Sequence, residues 1–135
     1  SITNLVSNTG VVATNTTGVG TIRRKLAAAT YGTDKAIFGY GTSNSNTQGT
    51  QYSMTNLVSN TGVVATDTTG VGTARDDLSA AGYGNDKAIF GFGGISVSPY
   101  RTGITNLVSN TGVVATDTAA IGIARQGPAA AGYSL

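Results

Sequence analysis

Apolar residues in this chain come in short runs that are separated by polar segments rich in Gly, Asn and Thr. One such pattern is Leu-Val at 57–58, Ser-Asn-Thr-Gly at 59–62 and Val-Val-Ala at 63–65. β-Branched residues favour the pleated surface of a sheet, and Asn and Gly supply the positive φ that a tight reversal needs. The pattern therefore predicts a β-hairpin with arms at 57–58 and 63–65.

A second hairpin is predicted downstream, with arms at 78–83 and 87–94 and the turn signal Gly-Asn-Asp at 84–86. An earlier copy of the same pattern occupies residues 26–41. Its Ala-rich arm could form a helix by intrinsic propensity. The arm is short and is bounded by Gly, so we predict a strand. Each complete copy should therefore contain four short antiparallel strands, and the fold class should be all-β.

The chain repeats itself at a fixed spacing. Thr-Asn-Leu-Val-Ser-Asn-Thr-Gly-Val-Val-Ala-Thr occurs without substitution at residues 3–14, 55–66 and 105–116. Self-similarity with a period of roughly 50 residues indicates a repeat architecture rather than one dedicated active site. We predict a single repeat domain, 1–135, with a partial first repeat, a second repeat and a truncated third repeat at 3–41, 55–94 and 105–135.

Two longer connections, 42–53 and 94–103, differ in sequence while the predicted strands do not. In repeat proteins, variable loops on one face are where binding differences accumulate. Within these loops Tyr52 and Tyr100 are candidate ligand-loop aromatics that could stack on sugar rings, and the alternative is that they seal packing.

Four short strands in a repeat of this length resemble one blade of a kelch-type β-propeller. The resemblance lies in Arg75, in the small-residue strand 78–83 and in residues 87–94, which are similar to the kelch strand that ends in a glycine pair. The hairpin at 55–66 would then form the outer strands of the blade. The chain departs from the usual kelch pattern in having no Trp.

The chain is also similar to kelch-like repeats of tail-fibre and other structural proteins of marine and environmental phages. This similarity lies in the pattern Thr-Ala-Arg-x-x-Leu-x-Ala-Ala-Gly-Tyr-Gly at 73–84, followed by an aromatic-Gly strand, and it covers nearly the whole chain. It implies a non-enzymatic virion or extracellular protein.

The predicted blades are incomplete within one chain. Residues 3–14 match the outer strands of a blade, and residues 129–135 match the first strand of another. Propellers close with 4–8 blades, and open sheet edges invite pairing with other chains. We therefore expect copies of the chain to associate head to tail, as a ring or as a filament.

Composition excludes several classes of function. Charged residues make up 10% of the chain, the net charge is +2, and His and Cys are absent. The sequence has no basic stripe of the kind that indicates nucleic acid binding. It also has no apolar run long enough for membrane insertion. Catalytic triads in their usual form need His or Cys. We therefore predict no enzyme, no catalytic residue, no cofactor and no metal site, and we assign Asp34 and Asp86 to turns rather than to Ca²⁺ binding.

Three arginines, Arg23, Arg75 and Arg125, recur at the same position of the repeat. They could form a ring of guanidinium groups that binds an anion. Alternatively, each could bridge neighbouring repeats by donating to carbonyl groups. We favour the repeat interface, because positions that recur in every repeat normally serve the contacts between repeats.

Taken together, these patterns predict a structural or assembly module of a phage-like tail fibre, virion appendage or extracellular filament, assembled by strand pairing between chains. The alternative is a lectin-like propeller module that binds host-surface glycans. The two differ in their partners: copies of the chain itself for the first, and a carbohydrate for the second.

Overall fold

The computed structural model describes residues 1–43 and 49–134. Across these ranges the chain is all-β, has no helix, and forms three small antiparallel sheets. Part of the predicted loop 42–53 lies outside the described residues. The strands are β1 Ile2–Thr3, β2 Thr16–Thr17, β3 Ala27–Tyr31, β4 Lys35–Gly39, β5 Thr55–Val58, β6 Ser79–Tyr83, β7 Lys87–Gly91 and β8 Thr105–Val108.

The two larger sheets have the same topology and the same register. The order is β3-β4-β5 in one sheet and β6-β7-β8 in the other. Phe38 lies opposite Asn56 in the first sheet, and Phe90 lies opposite Asn106 in the second. We call residues 21–68 the first unit and residues 73–118 the second unit.

Each unit has a fourth arm, but this arm is not the regular strand that the sequence predicts. Residues 63–65 return along β5 through a single bridge, Val58 to Val64, and through the bond from the Ala65 N–H to the Leu57 carbonyl. The turn itself forms as predicted, with the Gly62 N–H donating to the Ser59 carbonyl. The arm therefore forms a bridge rather than a continuous ladder.

The aromatic-Gly strands also end earlier than predicted, at Gly39 and at Gly91. The next residues, Tyr40 and Phe92, have φ values of 63° and 62°. Left-handed backbone is uncommon for a bulky residue, and it interrupts the extended conformation of the strand.

The two units pack face to face, with β3 against β6 and β7. The Phe90 ring lies beneath Gly39 and meets the Tyr40 ring edge-on, with centroids 5.2 Å apart. Phe90 and Tyr40 are fully buried. The buried apolar core therefore spans the contact between the units and consists of Ala27, Tyr31, Ile37, Tyr40, Leu78, Ala88, Phe90 and Val108.

The two ends of the chain form less regular structure. Residues 2–17 make a hairpin (the N-terminal hairpin) from β1, β2 and a bridge between Val6 and Val12. Near the other end, the strand expected over 129–135 does not form in the described residues. Tyr133 makes one parallel bridge to Tyr83, and Ser79 donates to the Pro128 carbonyl. This segment lies along an edge of β6 with few backbone bonds. A search of the described residues for helices found none long and apolar enough to span a membrane.

The close approach of Phe90 to Gly39 generates a prediction. A Cβ on Gly39 would lie 2.6 Å from Phe90 Cζ, whereas a Cβ on the equivalent Gly91 would meet its nearest neighbour at 3.4 Å. Overpacking a buried site typically costs about 1–3 kcal/mol. We expect Gly39→Ala to lower the free energy of unfolding by this amount in urea denaturation, and Gly91→Ala to change it by less than about 0.5 kcal/mol. Equal effects of the two substitutions would contradict the described packing.

Candidate repeat-interface site

Arg75 lies at the centre of the contact between the two units and is fully buried. Its Nε donates to the Phe92 carbonyl at 2.8 Å, and its Nη2 donates to Asn106 Oδ1 at 2.6 Å. On the other side, its guanidinium carbon lies 4.1 Å from the centroid of the Tyr40 ring. One side chain therefore holds both the sheet of its own unit and the aromatic residue of the preceding unit.

A chain of polar contacts extends from Arg75 through its own unit. The amide of Asn106 donates to Asp117 Oδ1 at 2.9 Å and to the Ala115 carbonyl at 3.0 Å. Asp117 Oδ2 accepts bonds from the Thr73 N–H at 3.0 Å and from the Thr73 hydroxyl at 2.7 Å. Arg75 Nη1 approaches Asp117 Oδ1 at 4.0 Å. The Asp117 carboxylate thus links the outer arm of the second unit to Thr73, the residue at which the unit begins.

The same contacts recur in the first unit at the spacing of the sequence repeat. Arg23 donates to the Met54 carbonyl at 2.7 Å and to the side-chain oxygen of Asn56. Asn56 donates to Asp67 Oδ1 at 2.8 Å, and Asp67 Oδ2 accepts from the N–H and the hydroxyl of Thr21. Because two copies of the sequence make equivalent bonds, the repeat encodes this network.

Arg125 occupies the third equivalent position in a different setting. Its guanidinium carbon lies 3.7 Å from the centroid of the Phe92 ring, so the stacking contact is present. The side chain also donates to the Ile123 carbonyl at 3.2 Å, and the residue as a whole is exposed. The three arginines predicted at repeat interfaces therefore share an environment only in part. Arg75 has both the ring and the Asn partner, Arg23 has the Asn partner, and Arg125 has the ring.

Electrostatics at this site favours a structural role for its side chains rather than proton transfer. Burial lowers the pKa of Arg75, and the neighbouring Tyr40 and Asp117 oppose that effect. Burial also raises the pKa of Tyr40 to about 12, so the phenol is neutral at physiological pH. An arginine remains protonated throughout the ordinary pH range. With no exposed face and its donors directed at carbonyl and amide oxygens, Arg75 has no geometry for binding an external anion.

The carboxylates of the network have depressed pKa values. Burial acts to raise the pKa of Asp117, but hydrogen bonds from Thr73 and Asn106 and the charge of Arg75 outweigh it, and the net effect is a lower pKa. Asp67 shows the same balance, with Thr21, Asn56 and Arg23 as the stabilising partners. Both carboxylates are therefore held in the ionised form by the fold.

The two loop aromatics, Tyr52 and Tyr100, differ from each other in burial, and neither side chain is a member of this network. Tyr52 is partly buried, and its backbone bonds to the Gly41 carbonyl and to the Arg75 N–H. Tyr100 is 64% exposed and follows a turn in which its N–H donates to the Val97 carbonyl. The ring of Tyr100 is open to solvent, whereas Tyr52 is part of the framework that holds the units together.

Sequence reasoning identified the arginines but missed their partners, the residue pairs Asn56 and Asn106, Asp67 and Asp117, and Thr21 and Thr73. A signal for these partners was present, since each recurs with the sequence repeat. Their pairing depends on which strands and turns lie side by side, and a periodic sequence does not define that.

Comparisons with known proteins add no family assignment. No protein-family model matches the chain, and no curated protein matches it. Within residues 1–43 and 49–134, no group of three or more Asp, Glu, His or Cys side chains is arranged to hold a metal ion. The arguments for function therefore rest on the geometry of the repeats.

The lowered pKa values predict how stability depends on pH. The stabilisation from Asp67 and Asp117 is fully present above their usual pKa of 3.8 and is lost as the pH falls through their folded-state values. At pH 7, the free energy of unfolding of the double variant Asp67→Asn/Asp117→Asn should be lower than that of the wild type by about 1 kcal/mol per site. Between about pH 5 and pH 2, it should fall by less than that of the wild type, because the variant lacks the two titrating carboxylates. Urea denaturation across this pH range measures both quantities.

Asn is a suitable replacement because Asn15 already occupies the equivalent position in the N-terminal hairpin, where it accepts a bond from Asn4. The matched control is Asp34→Asn/Asp86→Asn. Asp34 is exposed and Asp86 is partly exposed, and their pKa values are lowered chiefly by Lys35 and Lys87. An interface double variant with the same pH slope as the wild type would contradict the assignment.

Proposed function

We propose that this chain is a non-enzymatic structural module, built from kelch-like four-stranded blades, that assembles through strand pairing with other copies of the chain. The observation that carries the proposal is a contact between successive repeats that recurs at the repeat spacing: Arg75 stacks on Tyr40, and Arg125 stacks on Phe92. An interface that is renewed in every repeat adds units in one direction, as in other stacked repeat proteins.

The arrangement of the units supports the blade assignment. Each unit consists of three antiparallel strands followed by a fourth, bridged arm, and successive units stack face to face. The first strands of successive units, β3 and β6, lie against each other, as the inner strands of neighbouring blades would. The assembly is head to tail, so it closes into a ring or continues as a filament.

The surface of the chain also supports assembly. Several large apolar side chains at its two ends are more than half exposed, among them Ile2 and Val6 in the N-terminal hairpin and Ile121 and Ile123 near the other end. Large apolar surfaces on a soluble protein mark sites of contact with a partner. A virion appendage or an extracellular filament is the setting in which such a scaffold acts.

The assembly proposal predicts concentration-dependent association. Sedimentation velocity should show the mean mass rising with protein concentration, and negative-stain electron microscopy should show rings or fibres. Removing residues 128–135 deletes the segment that lies along β6 and should reduce association. A variant truncated after Gly127 that keeps the wild-type mass distribution, or a wild-type chain that remains monomeric at high concentration, would contradict the proposal.

A second candidate function is glycan binding by the loop 94–103. The exposed ring of Tyr100 favours it, since aromatic rings stack on the apolar faces of sugars. A bound glycan stabilises the folded state by mass action, so it should raise the melting temperature. Support for this candidate would be a glycan that stabilises the wild type but not Tyr100→Ala. An unchanged melting temperature across a broad glycan panel would exclude it.

A further inference from the structure

The first unit exposes a surface that the second unit buries. Leu78 and Phe90 of the second unit are buried, whereas their equivalents in the first unit, Leu26 and Phe38, are only partly buried. The side chain of Arg23, like that of Arg75, is buried. Arg23, Leu26 and Phe38 line a cavity of about 340 Å³, together with Ile2 of the N-terminal hairpin and Val64. The cavity lies on the side of the first unit where, in the second unit, the preceding sheet packs.

Arg23 carries an unsatisfied donor at this cavity. Its side chain is 3% exposed, and in the described residues its Nε has no hydrogen-bond partner. The equivalent Arg75 uses its Nε on a carbonyl and stacks on Tyr40 of the preceding unit. A buried polar group without a partner destabilises the fold, so Arg23 lies in an environment that additional contacts would improve.

The N-terminal hairpin provides a strand edge beside the cavity. Residues 3–6 have the same sequence as β5 and β8, which in the two units pair with β4 and β7. In the described residues, β1 pairs only with β2. The side chains of Ile2 and Val6 are 64% and 63% exposed. The edge that accepts an aromatic-Gly strand in both complete units is therefore open here.

We infer that this edge and the Arg23 cavity together bind a β-strand of the sequence Lys-Ala-Ile-Phe-Gly-Tyr-Gly, the sequence of residues 35–41, supplied by another chain in which this strand of the repeat is unpaired. In the present chain, β4 and β7 are already the middle strands of their own sheets. Such strand addition uses backbone bonds for affinity and side-chain pockets for specificity. The inference deepens the proposed assembly function and rests on it, because it identifies an acceptor edge through which chains carrying this repeat pair.

The two complete units fix the expected register. In β4 and β5, Ile37 lies opposite Leu57 and Gly39 lies opposite Thr55. By equivalence, the Ile of the added strand lies opposite Leu5, and its first Gly lies opposite Thr3. The Tyr40 N–H bonds to the Met54 carbonyl, and the Phe92 N–H bonds to the Ile104 carbonyl. The aromatic N–H of the added strand should therefore donate to the Ile2 carbonyl.

Two features of the added strand are required by the cavity. Its aromatic ring should stack on the Arg23 guanidinium, as Tyr40 stacks on Arg75. Its first Gly should lie against Phe38, as Gly39 lies against Phe90, where a Cβ would come within 2.6 Å of the ring. A strand with Ala at that Gly, or with Leu in place of the aromatic residue, should fit poorly.

The test is fluorescence anisotropy of a fluorescein-labelled Lys-Ala-Ile-Phe-Gly-Tyr-Gly peptide titrated with the full chain. We expect saturable binding that weakens roughly tenfold with Arg23→Lys, which keeps the charge but loses the planar stacking surface. The matched control Arg24→Lys, at the exposed arginine that follows Arg23, should bind the peptide as the wild type does. Circular dichroism melting curves verify that both variants are folded.

Peptide variants keep the test independent of any change to the chain. Replacing the first Gly by Ala, or the Tyr by Leu, should each weaken binding to the wild-type chain by roughly tenfold or more. Equal binding of these peptides, or displacement of the peptide by inorganic phosphate, would overturn the inference. Displacement by phosphate would indicate an anion site at Arg23.

Sedimentation velocity of the same samples separates this inference from the assembly proposal. If the chain self-associates through this edge, the peptide should lower the associated fraction. If a monomeric chain binds the peptide with the predicted specificity, the acceptor site stands and self-assembly fails. If the peptide causes no increase in anisotropy and does not change the associated fraction, the inferred acceptor site is overturned. Assembly would then have to use another surface of the chain.

Discussion

The structure depends on a buried guanidinium between successive sheets. A buried cation destabilises a fold unless its donors are satisfied and its charge is compensated. Arg75 meets this requirement with a carbonyl and an amide oxygen of its own unit and with the Tyr40 ring of the preceding unit. Because the planar guanidinium must meet both partners at once, it fixes the distance and the register between the two sheets.

Other local features follow from that constraint. Tyr40 presents its ring to Arg75 and Phe90 from a left-handed backbone, and Gly39 leaves space for the Phe90 ring. Gly72 has a φ of 72°, and a Cβ there would lie 2.2 Å from Asp117 Oδ1. Glycine is thus needed where the carboxylate approaches the backbone. Arg75 joins the polar network of its own unit to the small apolar core between the units, so a unit and its neighbour stabilise each other.

The sequence predicts the all-β class and most strand positions because short β-branched and aromatic runs alternate with turn residues. Ala27–Tyr31 and Ser79–Tyr83 form strands despite their Ala content, as their length and flanking Gly indicated. The bridged arm at 63–65 and the early strand ends before Tyr40 and Phe92 could not be predicted. These depend on the local backbone hydrogen bonds of the arm and on packing between units. The arginines were found by their recurrence, whereas their Asn and Asp partners required the topology.

The central claim is that Arg75 and Tyr40 couple adjacent units, and a double-mutant cycle tests it most directly. The measurement is the free energy of unfolding in urea for the wild type, Arg75→Met, Tyr40→Leu and the double variant. Stacking of a desolvated cation on an aromatic ring predicts a coupling energy of about 0.5–2 kcal/mol between the two residues. Substitution effects that simply add, within about 0.3 kcal/mol, would contradict the account.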